Sequence, residues 1–163
     1  MTLFSLFEWW GKTPVATVMN GSELAFPLVE TLHMIGIVLV VGTAALVDVR
    51  LLGLRFTSVP VSSLASQLGP WTLRGLGLIL ITGLLLLSTD PDRYYYSCQF
   101  RFKMACLLAA LLFDGIFYRK IRSQDQPSNT WLLRVAACTS LVLWSGVVAG
   151  GRAIGVLYLR CPS

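Results

Sequence analysis

The chain has 163 residues, of which 55% are hydrophobic and only 13% are charged, and its formal net charge is +5. Soluble domains carry about 25% charged residues, so this composition excludes a water-soluble globular protein and a disordered chain. Long basic stretches are absent, which argues against a nucleic-acid partner. The length suits a single domain, and the positive charge suits contact with anionic lipid headgroups. We interpret residues 1–163 as one membrane domain in contact with the lipid bilayer.

The first 22 residues are too short to span a bilayer and too apolar to stay in solution. Aromatic and aliphatic side chains surround two charged residues there, which is typical of an amphipathic helix lying in the headgroup region. Thr13-Pro14 resembles a helix start, and Asn20-Gly21 resembles a helix end. No basic leader precedes the apolar stretch, so we expect this segment (1–22) to be retained as an interfacial anchor.

Four apolar segments follow, and each is long enough to cross a bilayer as a helix. We predict spans over residues 28–47, 71–88, 102–118 and 131–151. Pro70 is expected to start the second span, because proline is favoured in the first turn of a helix. Turn-forming residues occupy the short connections, so neighbouring helices should pack antiparallel. The sequence predicts an all-α fold: an integral membrane four-helix bundle with a short N-terminal interfacial amphipathic helix.

The Lys and Arg residues near the span ends predict the orientation. Seven of them flank the first and third connections, and six flank the opposite side. Across the first span, which usually dominates, one Lys stands against three Arg. We therefore predict that both termini lie on the outer face of the membrane.

The four cysteines fall into two pairs. Two predicted spans separate Cys98 from Cys161, so both lie on one side, where an oxidising compartment would allow a disulfide. The alternative is that all four thiols are unpaired, since a bridge makes strict geometric demands. Cys106 and Cys138 lie at different depths in their spans, and we expect both to be free and to behave as small hydrophobic residues.

Ionisable residues inside the spans are the candidate functional residues, because inserting each one costs about 2.5–3.5 kcal/mol. Glu30 and His33 are three residues apart and share one face of the first span. Lys103 and Arg152 stand at a similar depth in the third and fourth spans. Two interpretations are open: an ion-pair network that holds three helices together, or a cofactor, quinone or proton site.

His33 is the only histidine, which restricts the chemistry of such a site. No CxxC or HExxH spacing is present, so the sequence predicts no metal site other than a haem. A haem b between two histidines of one chain is excluded. The remaining ligand sets are His33 with Met34 or Met104, His33 from each of two copies, or His33 alone. A symmetric dimer is the most sensible, because Met34 points about 100° away from His33 on the helix.

Two acidic residues lie toward the other side of the predicted bundle. Asp48 follows the first span, and Asp114 lies inside the third. Arg74 and Arg134 begin spans on the same side, and an ion pair between Asp114 and one of them would explain why the acid is tolerated.

Several stretches of the chain resemble a family of small, uncharacterised bacterial four-helix membrane proteins. The residues Phe26–His33 have the pattern FPxxExxH, and Asp48–Gly53 have the pattern DxRLLG. Phe102-Lys103 and the Gly-Arg-Ala-Ile run at 151–154 extend the resemblance over most of the chain from Ser22. The resemblance implies the four-helix fold and the bacterial inner membrane, and it implies no reaction.

Three functions are compatible with these observations. The first is a non-catalytic accessory or structural subunit of a larger membrane assembly, or of a homo-oligomer, whose glycine-rich fourth span packs closely against neighbours. The second is an electron-transfer protein that holds haem b or a quinone at His33 and Glu30. The third is a proton or ion translocator that uses Glu30, His33 and Asp114. No Ser or Cys stands beside a partner base in a recognisable spacing, so an enzyme is disfavoured.

Overall fold

The structure is a computed structural model that describes residues 3–55, 58–123, 130–157 and 159–161. These residues contain seven α-helices and no β-strand. The predicted connection at 126–129 and the side chains of the basic residues Arg119, Lys120 and Arg122 lie outside the described part. The helices are α1 (Leu3–Gly11), α2 (Pro14–Gly21), α3 (Ala25–Leu51), α4 (Val61–Leu87), α5 (Pro91–Tyr96), α6 (Cys98–Ser123) and α7 (Thr130–Val156).

Four of the helices are long, with 26 or 27 residues each. The strongest packing is between α3 and α4 and between α6 and α7, and α3 also packs on α7. The spans α3, α4 and Trp131–Val156 of α7 are long and apolar enough to cross a membrane. We call the end at which α3 begins and α7 ends the terminal end, and the other the opposite end.

The interior contains two clusters of buried apolar side chains. The larger one joins all four long helices through residues such as Val40, Ile79, Ala110 and Trp144. The smaller one, around Val47, lies nearer the opposite end. Large aliphatic and aromatic side chains also cover the outward faces of the long helices, as expected where a helix faces lipid rather than water.

Pro70 lies inside α4 and does not start it, so this part of the prediction is wrong. The helix begins nine residues earlier, at Val61. The residues before the proline form an apolar face, and Leu64 and Leu68 pack against the cluster around Val47. This packing favours helix on both sides of the proline. Gly69 also helps, because a residue before proline resists the helical conformation mainly through its Cβ.

The N-terminal segment forms two short helices rather than the single interfacial helix that was expected. They are separated at Lys12 and Thr13, and α2 runs from Pro14 to Gly21, as the sequence indicates. The indole N–H of Trp10 donates to the carbonyl oxygen of Leu84 at 2.9 Å. This bond fastens the segment to the terminal end of α4.

The stretch predicted as the second connection contains a further short helix, α5. Pro91 is its first residue, and the side chain of Asp90 accepts a hydrogen bond from the backbone N–H of Arg93 at 3.2 Å. An N-cap aspartate followed by proline is a strong helix start. Aromatic rings hold α5 against α1, with the centroids of Phe7 and Tyr95 5.5 Å apart.

The DxRLLG stretch forms the C-terminus of α3. Gly53 has φ 76°. Its backbone N–H donates to the carbonyl oxygen of Arg50, and the backbone N–H of Leu54 donates to the carbonyl oxygen of Val49. This is the Schellman arrangement, in which glycine is preferred because it lacks a Cβ. The Nε of Arg50 donates to the carbonyl oxygen of Val59 at 2.7 Å and so holds the connection to α4.

We expect Gly53→Ala to destabilise the protein by about 1 kcal/mol, because alanine is strained at positive φ. The matched control is Gly42→Ala in the middle of α3, where a new Cβ would meet nothing within 4 Å. That substitution should stabilise the helix by about 0.5–1 kcal/mol. Denaturation in detergent micelles measures the change in the free energy of unfolding, which should have opposite signs in the two variants. A loss of stability in both would contradict the role of Gly53 as the positive-φ residue that ends α3.

Candidate functional site

His33 lies in the third turn of α3, and Thr82 of α4 holds its ring. His33 Nδ1 is 2.9 Å from the Thr82 hydroxyl. That hydroxyl has a single proton, which it donates to the carbonyl oxygen of Leu78 at 2.6 Å. The hydroxyl must therefore accept from the ring, and the network assigns the proton of neutral His33 to Nδ1. The lone pair is then on Nε2.

Lys103 approaches His33 from α6. Its ammonium Nζ is 3.4 Å from His33 Nε2 and can donate to the lone pair. Helix α7 makes room for the lysine with two glycines. A Cβ on Gly150 would lie only 3.1 Å from the Cβ of Lys103, and one on Gly151 would lie 3.6 Å from Nζ. All four long helices thus meet in what we call the His33 layer: His33, Thr82, Lys103, Gly150 and Gly151.

Glu30 and Arg152 do not join the His33 layer. Both side chains are exposed, and no ion pair among the described residues joins either of them to His33 or Lys103. Glu30 lies toward α5 instead. Burial raises the pKa of the Tyr94 hydroxyl above its ordinary value, and the charge of Glu30 raises it further. The structure therefore brings together two of the four residues for which the sequence predicts a common site.

A second polar cluster lies toward the opposite end. The hydroxyl of Ser140 in α7 donates to Oδ2 of the buried Asp48 in α3 at 2.7 Å. One helical turn along α7, the indole N–H of Trp144 donates to Oδ2 of Asp114 in α6 at 2.8 Å. One face of α7 therefore donates a hydrogen bond to each acid, and α7 packs against both α3 and α6.

The arginines that were expected to pair with Asp114 are placed differently. Arg74 and Arg134 are both exposed, and the guanidinium of Arg74 lies 4.9 Å from the ring centroid of its neighbour Trp71. Neither forms an ion pair with Asp114 among the described residues. The cation–π contact keeps the Arg74 guanidinium on the outside of the bundle, whereas a pair with the half-buried Asp114 would bring a second charge into the interior.

A further polar contact lies along the bundle between the His33 layer and Asp48. The hydroxyls of Thr43 in α3 and Thr72 in α4 are 2.8 Å apart, and each also contacts a backbone carbonyl of its own helix. Threonine commonly makes this bond inside apolar helices. Hydrogen bonds between helices therefore occur at three depths of the interior.

The bond between Asp48 and Ser140 is open to a double-mutant cycle. We expect Asp48→Ala and Ser140→Ala to show a coupling energy of about 0.6–1.7 kcal/mol, between the average and the maximum measured for hydrogen bonds between membrane helices. Asp48→Ala with Thr139→Ala serves as the control, since Thr139 is exposed and, among the described residues, its hydroxyl bonds to Val135 of its own helix alone. A coupling that is equal in both cycles would show that the bond contributes nothing specific.

Two further observations bear on cofactors and redox chemistry. Within the described ranges, no three His, Cys, Asp or Glu side chains converge on a point where they would hold a metal ion. Cys98 and Cys161, which the sequence places on one side, are joined by a disulfide with Cα atoms 5.1 Å apart. Cys106 and Cys138 are free.

The hydrogen-bond partners of the interior polar residues were not predicted from the sequence. Thr82, Ser140 and Trp144 complete the two clusters, and none is ionisable. Each is a hydrogen-bonding residue inside an apolar run, and this signal would have marked all three as candidates.

A family model matches residues 7–157 of the chain, which include every member of the His33 layer and both acids of the second cluster. The chain belongs to the family of unknown function DUF6644. No curated protein and no solved structure matches it. Membership in DUF6644 agrees with the resemblance to an uncharacterised family and brings no activity with it. The matched part contains Cys98 and ends before Cys161.

Proposed function

We propose that this DUF6644 protein is a non-catalytic integral membrane protein that serves as an accessory or structural subunit of a larger membrane assembly. In this proposal α3, α4, α6 and α7 all cross a bacterial inner membrane as a four-helix bundle, and both termini lie on the outer face. Three of these helices have the length and apolarity of a span. The length of α6 supports its inclusion, because it equals that of its packing partner to within one residue.

The observation that carries the proposal is the use of the interior polar groups. Among the described residues, every buried side-chain nitrogen or oxygen has a hydrogen-bond partner. The partners of Asp48, Asp114 and His33 lie on neighbouring helices. Bonds of this kind hold membrane helices together, since lipid provides no hydrophobic driving force between them. A polar interior that is consumed by such bonds supports a structural role.

Small residues on the outward faces support the assignment to an assembly. Ala105 and Ala109 of α6 are exposed and four residues apart, and Ser145 and Ala149 of α7 show the same arrangement. Residue pairs of this type allow the backbone of another helix to approach closely. In the assembly we propose, the neighbouring subunit or second copy packs on the face of α7 that contains Ser145 and Ala149.

The proposal is tested by blocking the outward face of α7. Ala149→Phe should prevent a tagged chain from recovering its partner, or an untagged second copy, from membranes solubilised in mild detergent. The matched control is Val38→Phe on α3, which also places a phenylalanine on an exposed position. Thermal unfolding shows whether each variant is folded. Equal recovery by folded wild type, Ala149→Phe and Val38→Phe would contradict the proposed interface.

A second candidate function is the binding of haem b or a quinone at the His33 layer. The geometry of the ring favours it: a histidine ligand is typically fixed by a hydrogen bond from one nitrogen while the other nitrogen binds. Here Nδ1 is fixed by Thr82, and Nε2 faces the flexible Lys103. Since His33 is the only histidine, a second histidine ligand to the haem would come from a partner or a second copy. For a quinone, Lys103 would supply a proton donor to a carbonyl oxygen.

Visible spectra test for haem at the His33 layer, and solvent extraction tests for a quinone. If the layer binds haem, the purified wild type shows a reduced-minus-oxidised band that His33→Ala removes and that Thr82→Val shifts or weakens. If it binds a quinone, extraction with organic solvent yields about one quinone per site from the wild type and none from Lys103→Met. A colourless, quinone-free protein rejects this second function and leaves the structural one.

A further inference from the structure

An open cavity lies at the terminal end, apart from the His33 layer. Its volume is about 680 Å³. The charges on its wall balance, with two carboxylates and two guanidinium groups beside two aromatic rings. The lining residues are Phe4, Asp90, Asp92, Arg93, Tyr96 and Arg160. A neutral wall with both signs of charge suits a ligand that carries both signs itself.

The cationic side of the cavity is held in place by the end of the chain. Arg160 forms a backbone bridge with Ser97, and the backbone N–H of Cys161 donates to the carbonyl oxygen of Tyr96 at 2.9 Å. The disulfide between Cys98 and Cys161 fastens the same segment covalently. As a result the Arg160 guanidinium lies 4.4 Å from the centroid of the Tyr96 ring. Stacking occupies the face of the guanidinium and leaves the N–H groups at its edge directed outward.

The acidic side offers an open carboxylate. Asp90 already accepts a hydrogen bond from the backbone of Arg93. Asp92 is exposed, and in the described part of the chain it has neither a hydrogen-bond nor an ion-pair partner. The cavity wall therefore presents unused donors on Arg160 and unused acceptors on Asp92.

The position of the cavity relates it to the membrane surface. Phe4 belongs to α1, whose Leu6 and Trp9 are 49% and 64% exposed. A short helix with exposed leucine and tryptophan is typical of the headgroup region. A cavity with this wall thus lies where phospholipid headgroups are abundant.

We infer that this cavity binds a phosphoethanolamine group, with its phosphate on Arg160 and its ammonium on Asp92. Arginine donates in pairs to phosphate oxygens, and a primary ammonium can donate to a carboxylate. A trimethylated choline has no N–H to donate, and it is recognised by open aromatic faces. Arg160 already covers a face of the Tyr96 ring, and Phe4 packs against Tyr95 and Tyr96, so the cavity favours ethanolamine over choline. The group can come from a lipid headgroup or from a soluble phosphoethanolamine ester.

The test compares two lipids and one soluble ester. The full-length protein is reconstituted in equimolar phosphatidylethanolamine and phosphatidylcholine, and the lipid that remains after detergent purification is quantified by mass spectrometry. We expect phosphatidylethanolamine to be enriched severalfold. Asp92→Asn should abolish this preference, because only the ethanolamine group donates to the carboxylate. Arg160→Gln should lower the amount of both retained lipids, and the affinity for the ester, about tenfold, because both lipids carry the phosphate. Calorimetry with glycerophosphoethanolamine tests the soluble source.

Two control variants keep the test specific. Arg101→Gln removes a guanidinium that also stacks on a tyrosine, 5.7 Å from Tyr95, but lies outside the cavity wall. Glu23→Gln removes an exposed carboxylate near the same end. Both should retain the preference. Binding of the ester without lipid enrichment supports the site and assigns it to the soluble source. Equal retention of both lipids with no binding of the ester overturns the inference. A preference that Asp92→Asn leaves intact, or retention that Arg160→Gln leaves intact, overturns it as well.

Discussion

Gly75→Leu is expected to destabilise the protein by about 3 kcal/mol, one of the two largest effects that we predict. A Cβ at this position would lie 2.8 Å from the Cβ of Leu39, 2.9 Å from Cγ2 of Val40 and 3.1 Å from the carbonyl oxygen of Gly36. Two of these neighbours are rigid, because one is a backbone atom and one is the Cβ of a packed helix. A leucine can be accommodated only if α3 and α4 move apart, and overpacking of this kind typically costs about 1–3 kcal/mol or more.

Gly77→Leu is the matched control for this prediction. It lies two residues further along α4, in the same apolar run, and a Cβ there would meet nothing within 4 Å. The free energy of unfolding of both variants is measured by denaturation in detergent micelles. We expect Gly77→Leu to leave the free energy of unfolding unchanged or to raise it by up to about 1 kcal/mol, because leucine is a better helix former than glycine. If both substitutions cost the same, the close approach of α3 and α4 at Gly75 is refuted.

The second large effect concerns the disulfide between Cys98 and Cys161. Replacing both cysteines by serine should lower the free energy of unfolding by about 4 kcal/mol. The bridge closes a loop with a sequence separation of 63 residues, and chain entropy gives about this value for such a loop. Helices that stay in the micelle after unfolding already restrict the chain, so about 2 kcal/mol is the lower limit.

Cys138→Ser provides the control for the disulfide, because Cys138 is free and exposed. It should unfold like the wild type with or without reductant. The wild type should lose stability when reductant is added, and the double serine variant should not respond to it. A wild type that is insensitive to complete reduction would contradict a stabilising bridge.

Hydrophobic patterning predicts much of this architecture, because span length and periodicity are local properties. The start of α2 at Pro14 and its end at Gly21 follow from residues that are adjacent in sequence. The helical path through Pro70 does not, since packing of Leu64 and Leu68 against a distant helix decides it. Local propensity alone gives too short a helix there.

The polar interior was harder to predict for a related reason. Charge marks His33, Asp48, Lys103 and Asp114 in the sequence, but the partner of each is set by the rotation of its helix. The sequence predicts an arginine beside Asp114, whereas the structure provides the indole N–H of Trp144. A neutral donor satisfies a buried carboxyl group without bringing a second charge into the membrane.

The mass of the particle that carries this protein in its native membrane tests the central claim most directly. Membrane discs are cut out with an amphipathic polymer, without detergent, and the protein content of the purified particle is determined by light scattering and by gel. We predict a defined particle that contains more than one 17.9 kDa chain, either further copies or a fixed partner. A homogeneous particle with a single folded chain and no partner would contradict a role as a subunit.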